Sequence, residues 1–348
     1  MQRFLSLGKD EKEALIKWQE LNAKLQSNKR TLKETGTLPI IDDSNIEEGT
    51  LKHITALYFQ DRRFLRLAKI TQTGYIQIHN RLINTILFSK QKQNFANLGI
   101  CTINREFCKN FYENLLALGN IRSATHYINA LSNLIKVAID YGYFKGENPC
   151  SKMLLEKNAP RDQTWTVAEF KSFCDVAKNK GYTGLYIAVN LAYYTAQRLT
   201  DVLNLKWSQI DADFRYITIK QSKTATKVEI PLFKMNILSN ILLQHKKHSE
   251  HIVLDQADLK PYHDRIRLFS DRFDAVRKES NTRTELLFRD LRRTAILALD
   301  EAGCTPAEIA SISGHSRSSI IDMLDTYAPK TKNKAESALD KLNARQKT

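Results

Sequence analysis

The chain has 348 residues, enough for two or three domains with separate cores. Lys and Arg (53) outnumber Asp and Glu (38), and the formal net charge of +15 favours a polyanionic partner, although a ribosomal or membrane-surface protein would share it. A hydrophobic content of 42% argues against wholesale disorder, so we expect a globular, largely helical protein.

Cysteine usage and the amino terminus indicate a protein of a reducing compartment. The cysteines form no CxxC pair and lie at positions Cys101, Cys108, Cys150, Cys174 and Cys304. This pattern predicts neither a zinc site nor a disulfide framework. Residues 1–19 are interrupted by charges, so they predict neither a signal peptide nor a membrane span. We expect a soluble cytoplasmic protein without a metal site.

The first fifty residues predict one helix and a linker. Residues 9–34 are polar with a thin apolar stripe at helical spacing, formed by Ala14, Leu15, Trp18, Leu21 and Leu25. Residues 35–50 carry Gly36, Pro39, Gly49 and a run of acids, which is typical of a linker. A domain boundary is therefore predicted near residue 50.

Residues 51–148 have a helical pattern throughout. The clearest helix is predicted to begin at Ser123 as its cap and to end before Gly142. Basic residues recur along this region at Arg81, Lys90, Lys92, Arg105, Lys109 and Arg122. Each by itself is typical of a solvated face, but together they could line a DNA backbone.

A second linker, residues 149–163, is predicted from two prolines and the loss of periodicity. Thr166 and Glu169 then form a capping box, which opens a new domain over residues 164–348. A long apolar helix follows from about Leu185. It is interrupted at residues 195–198, where Arg198 lies.

The period then changes from helical to alternating, which predicts a β-hairpin. Ile217 and Ile219 alternate with polar residues in its first strand, as do Val228 and Ile230 in the second. Lys223 lies where the first strand meets the turn, from which a flexible cation can reach into a cleft. An exposed turn lysine is the alternative interpretation. Helical segments are predicted next at residues 237–245 and 266–276, and their histidines show no metal-ligand spacing.

Residues 287–329 concentrate chemically active side chains. Arg289 and Arg292 lie three apart on a predicted helix, and guanidinium groups suit phosphate oxygens. A capping box of Thr305 and Glu308 with Pro306 opens the next short helix. Gly314 is predicted to end that helix, His315 to occupy the turn, and Ser318 or Ser319 to begin the helix that delivers Tyr327. The Tyr327 phenol is a candidate nucleophile.

These elements occur in a fixed order: Arg198 in TAQRLTD, Lys223 in QSKT, RDLR at 289–292, GHS at 314–316, and Tyr327. In this order the chain resembles the tyrosine recombinase (phage integrase) family over roughly residues 51–348. Any one motif alone is weak evidence. The resemblance implies a mainly α fold with a small β-sheet (α+β), in which a helical core-binding domain (51–148) precedes the catalytic domain (164–348).

The resemblance also implies roles for the site residues. Arg198 and Arg292 would clamp the scissile phosphate, and His315 would donate a hydrogen bond either to it directly or to a group that contacts it. Asp201 would orient the first arginine. Lys223 would protonate the leaving 5′ oxygen. Tyr327 would attack the phosphate to form a 3′-phosphotyrosyl bond, with no metal or cofactor required.

One position departs from the family pattern. The family more often has histidine where Arg289 stands, and a histidine there can accept the tyrosine proton, which an arginine cannot readily do. The identity of the base stays open: Arg289 could still donate to the phosphate while the proton goes to water or to the phosphate, or the departure could mark a weakened or regulatory descendant.

The expected partners are double-stranded DNA attachment sites, bound by a homotetramer, with DNA-bending accessory proteins as a further possibility. Residues 1–50 would be a coupling helix and linker, the remnant of an arm-binding module. The tail, with Ala335, Leu339 and Leu342 at helical spacing, would dock on a neighbouring protomer or on its own domain.

The leading interpretation is a site-specific integrase of a mobile genetic element. A non-catalytic DNA-binding protein is the alternative, because residues 305–327 also fit a helix-turn-helix pattern. A relaxing topoisomerase would use the same motifs.

Overall fold

The computed structural model of the protein describes residues 46–84, 95–156, 158–159, 161–327, 336 and 339. The chain divides into two compact units between residues 160 and 161. The finer boundaries at residues 50, 148 and 163 stay predictions. The helix predicted at 9–34, the basic residues Lys90 and Lys92, and most of the predicted tail helix lie outside the described residues. Within the described ranges, no helix is both long enough and apolar enough to cross a bilayer.

The first unit is helical. Its α-helices are α1 (Leu51–Gln60), α2 (Arg62–Leu65), α3 (Lys69–Ile83), α4 (Arg105–Ala117) and α5 (Ile121–Asp140). Helix α5 packs against α1, α3 and α4, and it buries Ile128, Leu131, Leu134 and Ile135 almost completely. Because these residues recur every three or four positions, one stripe of α5 faces the shared core.

The cap predicted for α5 is wrong by three residues. The helix begins at Ile121, and the Asn120 side chain, not that of Ser123, caps it by accepting a hydrogen bond from the Ser123 amide at 3.0 Å. Gly119, at φ +78°, turns the chain after the preceding helix and leaves Asn120 at the first available cap position.

The second unit is built around one buried helix. Its elements are α6 (Val167–Asn179), α7 (Thr183–Thr195), α8 (Leu199–Leu203), β1 (Tyr216–Lys220), β2 (Lys227–Pro231), α9 (Asn236–Gln244), α10 (Ile266–Glu279), α11 (Phe288–Glu301), α12 (Pro306–Ser313) and α13 (Arg317–Tyr327). Helix α7 is apolar on nearly all sides and packs against α6, α9, α10 and α11. The sequence prediction of a mainly α fold with a small β-sheet is confirmed.

Local signals predicted several helix ends of this unit, although α13 begins at Arg317 and not at the predicted Ser318 or Ser319. Capping boxes at Thr166 and Glu169 and at Thr305 and Glu308 are both present, and Gly314 ends α12 at φ +69°. The interruption after α7 is confirmed as well, because α7 ends at Thr195 and α8 begins at Leu199.

The β-hairpin has the predicted alternation. Ile217 pairs with Ile230 and Ile219 with Val228, and all four side chains enter the core. Their strand neighbours point the other way, since side chains alternate across a strand. The turn between the strands carries Lys223 at the surface.

A clasp formed by Arg161 and Asp290 ties the start of this unit to α11. Arg161 Nε donates to Asp290 Oδ1 at 2.8 Å and Nη2 donates to Oδ2 at 2.7 Å. The Asp290 carboxylate also accepts from the Leu287 amide at 2.8 Å, so the same group caps α11. The helix that carries Arg292 is thereby fixed at its amino-terminal end.

Candidate active site

Arg292 lies at the centre of the candidate site. It projects from α11 and is only 9% exposed. Its Nη1 donates to the Ala196 carbonyl at 2.7 Å, and its Nη2 lies 3.0 Å from Nε2 and 3.1 Å from Nδ1 of His315. Burial, followed by the nearby charge of Arg198, lowers the pKa of Arg292, yet the guanidinium keeps its charge at pH 7.

The carbonyl that Arg292 binds lies in an unusual backbone conformation. Ala196 is fully buried and follows α7 with φ at +53° and ψ at +30°, a left-handed conformation that is unfavourable for alanine. This bend separates α7 from α8 and directs the Ala196 carbonyl to the arginine. Such bends are concentrated at functional sites.

His315 follows Gly314 in the turn between α12 and α13. Its Nδ1 lies 3.0 Å from the Ser313 hydroxyl. Burial lowers the pKa of His315 to about 4, and the positive charges of Arg292 and Arg198 act in the same direction. The imidazole is therefore neutral at pH 7 and can donate one N–H.

Arg198 and Asp201 form the second half of the site. Arg198 immediately precedes α8, and its Nη1 donates to Gln221 Oε1 at 2.8 Å and lies 3.7 Å from Asp201 Oδ2. Asp201 is buried, and its Oδ1 accepts from the amide and the hydroxyl of Ser222 at 2.8 and 2.7 Å. Asp201 thus connects the first arginine to the turn that presents Lys223.

Two buried glutamines, which sequence reasoning missed, join these segments. Gln221 Nε2 donates to Gln197 Oε1 and to the Ser313 carbonyl, both at 2.7 Å. Gln197 Nε2 donates in turn to the carbonyls of Thr195 and Ile312, both at 2.8 Å. The available signal was their place inside TAQR and QSKT, directly beside residues already singled out.

The remaining predicted catalytic residues have different surroundings. Arg289 and Lys223 are exposed, and neither makes a hydrogen bond or ion pair with any residue in the described part of the chain. Tyr327 is the last residue of α13. The structure thus brings together Arg198, Asp201, Arg292 and His315, with Lys223 two residues from Gln221.

The predicted DNA-binding residues of the first unit also differ from one another in their contacts and exposure. Arg105 donates to the backbone carbonyls of Pro149, Ser151 and Lys152, so it stabilises a turn of its own unit. Lys109 and Arg122 are exposed. Arg81 lines an open groove of about 530 Å³ together with Tyr75, His126 and Tyr127.

The assembled groups favour an anion with several oxygens. Arg198 and Arg292 provide fixed positive charge, and neutral His315 provides a further donor. Across the ranges that the structure describes, no group of His, Cys, Asp and Glu could hold a metal ion.

Comparison with known proteins gives a family for this part of the chain. Residues 163–334 match the phage integrase family. The chain is 31% identical over 113 residues to an integrase of Enterobacteria phage 434, covering 32% of this chain and 31% of the relative. It is 31% identical over 117 residues to an integrase of Escherichia phage HK022, covering 34% of this chain and 32% of the relative. The matches thus span about a third of these relatives.

Solved structures share the fold over a larger range. A lambda integrase fragment, in a dimer bound to a COC′ core site, has a TM-score of 0.66 at 20% identity and covers 80% of this chain and 96% of its own. A lambda integrase tetramer bound to a Holliday junction has a TM-score of 0.63 at 22% identity, covering 90% and 89%. The Tn1549 transposon integrase in complex with transposon right end DNA has a TM-score of 0.66 at 17% identity, covering 84% and 99%.

Proposed function

We propose that this chain, whose residues 163–334 match the phage integrase family, is a site-specific DNA recombinase that breaks and rejoins DNA through a 3′-phosphotyrosyl intermediate. The observation that carries the proposal is the convergence of Arg198, Arg292 and neutral His315. They come from three segments remote in sequence, and one buried network joins them.

This arrangement suits in-line displacement at phosphorus. Negative charge develops on the equatorial oxygens of the phosphate in the transition state, and donors that are already fixed stabilise it without reorganisation. Arg292 is held by the Ala196 carbonyl and Arg198 by Gln221, so both guanidinium groups are oriented before DNA arrives.

The proposed reaction balances without an outside energy source. The Tyr327 oxygen forms a bond to phosphorus, the bond from phosphorus to the 5′ oxygen breaks, and Lys223 gives that oxygen a proton. The tyrosine proton goes to water or to the phosphate, because the Arg289 guanidinium is a poor acceptor. Rejoining reverses these steps with a second 5′ hydroxyl, so the phosphotyrosyl bond conserves the energy of the broken phosphodiester.

The proposal includes the partners expected from the sequence. The substrate is double-stranded DNA carrying attachment sites, acted on in the cytoplasm by a homotetramer that exchanges its tail segments. The tetramer that lambda integrase forms on a Holliday junction supports this assembly. DNA-bending accessory proteins are a further part of the proposal, as is an origin in a mobile genetic element.

Trapping of a covalent adduct tests the proposed function. In nicked duplexes with a randomised site, the short fragment between the cut and the nick, which carries the freed 5′ hydroxyl, diffuses away after cleavage, so the protein should stay on the DNA through denaturation. The trapped strands also identify the site when sequenced. We expect an adduct from the wild-type chain and none from Tyr327→Phe. Binding by the wild-type chain without any adduct would instead favour the non-catalytic DNA-binding protein.

A further inference from the structure

Gln221 connects three segments that each carry a proposed catalytic residue. It directly precedes the hairpin turn with Lys223, and its side chain is 1% exposed. Through Arg198 and Gln197 it contacts the bend between α7 and α8, and through the Ser313 carbonyl it contacts the turn before His315.

The amide of Gln221 uses its full hydrogen-bonding capacity. Its oxygen accepts from Arg198 Nη1 at 2.8 Å and from the Thr224 hydroxyl at 3.1 Å. Its nitrogen donates to Gln197 Oε1 and to the Ser313 carbonyl. Two acceptor sites and two N–H groups are thereby filled, which fixes the direction of the amide. Leaving a buried amide without hydrogen-bond partners costs free energy. Moving one of the neighbours would therefore cost free energy too, and the network holds them in place.

Gly314 provides independent evidence that the histidine turn rests on this amide. A Cβ atom at Gly314 would lie 2.4 Å from Gln221 Nε2. Only a residue without a side chain therefore allows the turn to approach this closely. The position of His315, the next residue, depends on that contact.

We infer that Gln221 is a positioning residue for the proposed cleavage reaction, because its one amide sets the Arg198 guanidinium and the His315 turn at a fixed distance from each other. The inference rests on the proposed function. Gln221 acts through its neighbours and not on the phosphate itself. A misplacement of about 1 Å in such a site can cost roughly 10²-fold in rate.

Two substitutions and a matched control test the inference. Gln221→Met keeps the approximate volume and removes all four hydrogen bonds. Gln221→Glu keeps the acceptor for Arg198 and removes the two donors to Gln197 and to the Ser313 carbonyl, so it releases the histidine turn while the contact with Arg198 stays. Gln209→Met is the control: Gln209 bonds strand β1 of the same unit through the Thr218 carbonyl at 2.9 Å and accepts from the Lys206 amide, and it makes no hydrogen bond with Arg198, Arg292 or His315.

Single-turnover cleavage is measured on nicked duplexes with an oxygen or a sulfur atom as the 5′ leaving group, alongside thermal unfolding and DNA affinity. A thiolate leaves without a proton, so sulfur restores cleavage that was lost only through Lys223. We expect Gln221→Met to cleave both substrates about 10²-fold more slowly than wild type. Its DNA affinity should stay within about threefold of wild type. Its loss of cleavage rate should be larger than that of Gln209→Met.

The cleavage rate of Gln221→Glu should lie between the rates of wild type and Gln221→Met. Cleavage of Gln221→Met at the wild-type rate would overturn the inference, as would full rescue by sulfur or an equal loss in the control.

A measurement without cleavage separates this inference from the proposed function. In chain labelled at arginine, the guanidinium N–H signal of Arg198 should exchange slowly with water in wild type and in Gln209→Met. It should exchange rapidly in Gln221→Met. If the wild-type chain forms no adduct, the proposed function fails, while an unchanged Arg198 signal in Gln221→Met would overturn the positioning role itself.

Discussion

Arg289 and Arg292 show how strongly the surroundings of an arginine side chain determine its exposure and its contacts. Both belong to α11, three residues apart, but Arg289 is exposed and Arg292 is 9% exposed. The helix turns about 100° per residue, so positions three apart differ by roughly 60° and can lie on either side of the core boundary. The spacing in the sequence predicted a shared face, and it could not show where the boundary falls.

Arg289→Ala tests whether the exposed arginine takes part in cleavage. Because it has no hydrogen bond or ion pair to any other described residue, its removal should leave thermal unfolding unchanged. We expect single-turnover cleavage to fall about tenfold or more through loss of a donor to the phosphate. DNA affinity should change less than the cleavage rate. An unaltered cleavage rate would show that Arg289 is a bystander.

His315 should make stability depend on pH in the acidic range. Burial lowers the pKa of His315 from 6.5 to about 4 in the folded chain, so the unfolded chain binds the proton first as pH falls. The resulting contribution of His315 to the free energy of unfolding is fully present above pH 6.5, and it is lost progressively as the pH falls from about 6.5 to 4.

The free energy of unfolding, measured by denaturant at several pH values, should therefore fall more steeply over this window in wild type than in His315→Gln. The difference should be on the order of 2 kcal/mol, which allows for partial exposure of the ring. Parallel curves for the two proteins would contradict this assignment.

At the scale of elements, the helix starts marked by capping boxes were predictable and the buried network was not. The capping boxes at Thr166 and Thr305 depend on residues three apart, so the sequence shows them directly. Gln197 and Gln221 carry no such local pattern. Their burial requires α7, the hairpin and the α12–α13 turn to meet, which is a property of the tertiary fold.

The Arg161 clasp should stabilise the second unit measurably. Arg161→Met leaves the Asp290 carboxylate, which is only 2% exposed, without its charged partner. Because an unpaired buried charge is costly, we expect a loss of about 2 kcal/mol in the free energy of unfolding. Lys227→Met is the control: its ion pair with Glu229 is 63% and 59% exposed, and it should cost less than about 1 kcal/mol. Equal losses in the two variants would refute the clasp.

At the scale of the whole molecule, the order of motifs predicted the family before the geometry was known. The resemblance depended on elements from Arg198 to Tyr327, and the family match covers residues 163–334. Net charge alone left several protein classes open. The sequence could not predict the contacts of individual basic residues. Arg105 binds backbone carbonyls of its own unit, whereas Arg122 is exposed.

DNA affinity should depend steeply on salt, since the chain carries a net charge of +15. Between 50 and 200 mM salt we expect a loss of about 10³-fold or more, as for proteins with six or more phosphate contacts. Arg122→Gln should reduce the slope of log affinity against log salt by about 1. Arg105→Gln should lower stability and leave the slope unchanged. Fluorescence anisotropy with the trapped site measures the DNA affinity of each variant at each salt concentration. An affinity that does not change with salt would show that the basic residues do not bind the DNA backbone.

The close approach of Gly314 to Gln221 also restricts how this site can be altered. A side chain at position 314 needs the space that the amide fills, and position 314 also requires a left-handed backbone. The restriction runs one way: a larger residue at 314 requires a shorter one at 221, which gives up the hold on Arg198. Designed variants, and natural ones compared with them, should therefore carry a side chain at 314 only together with a shorter residue at 221.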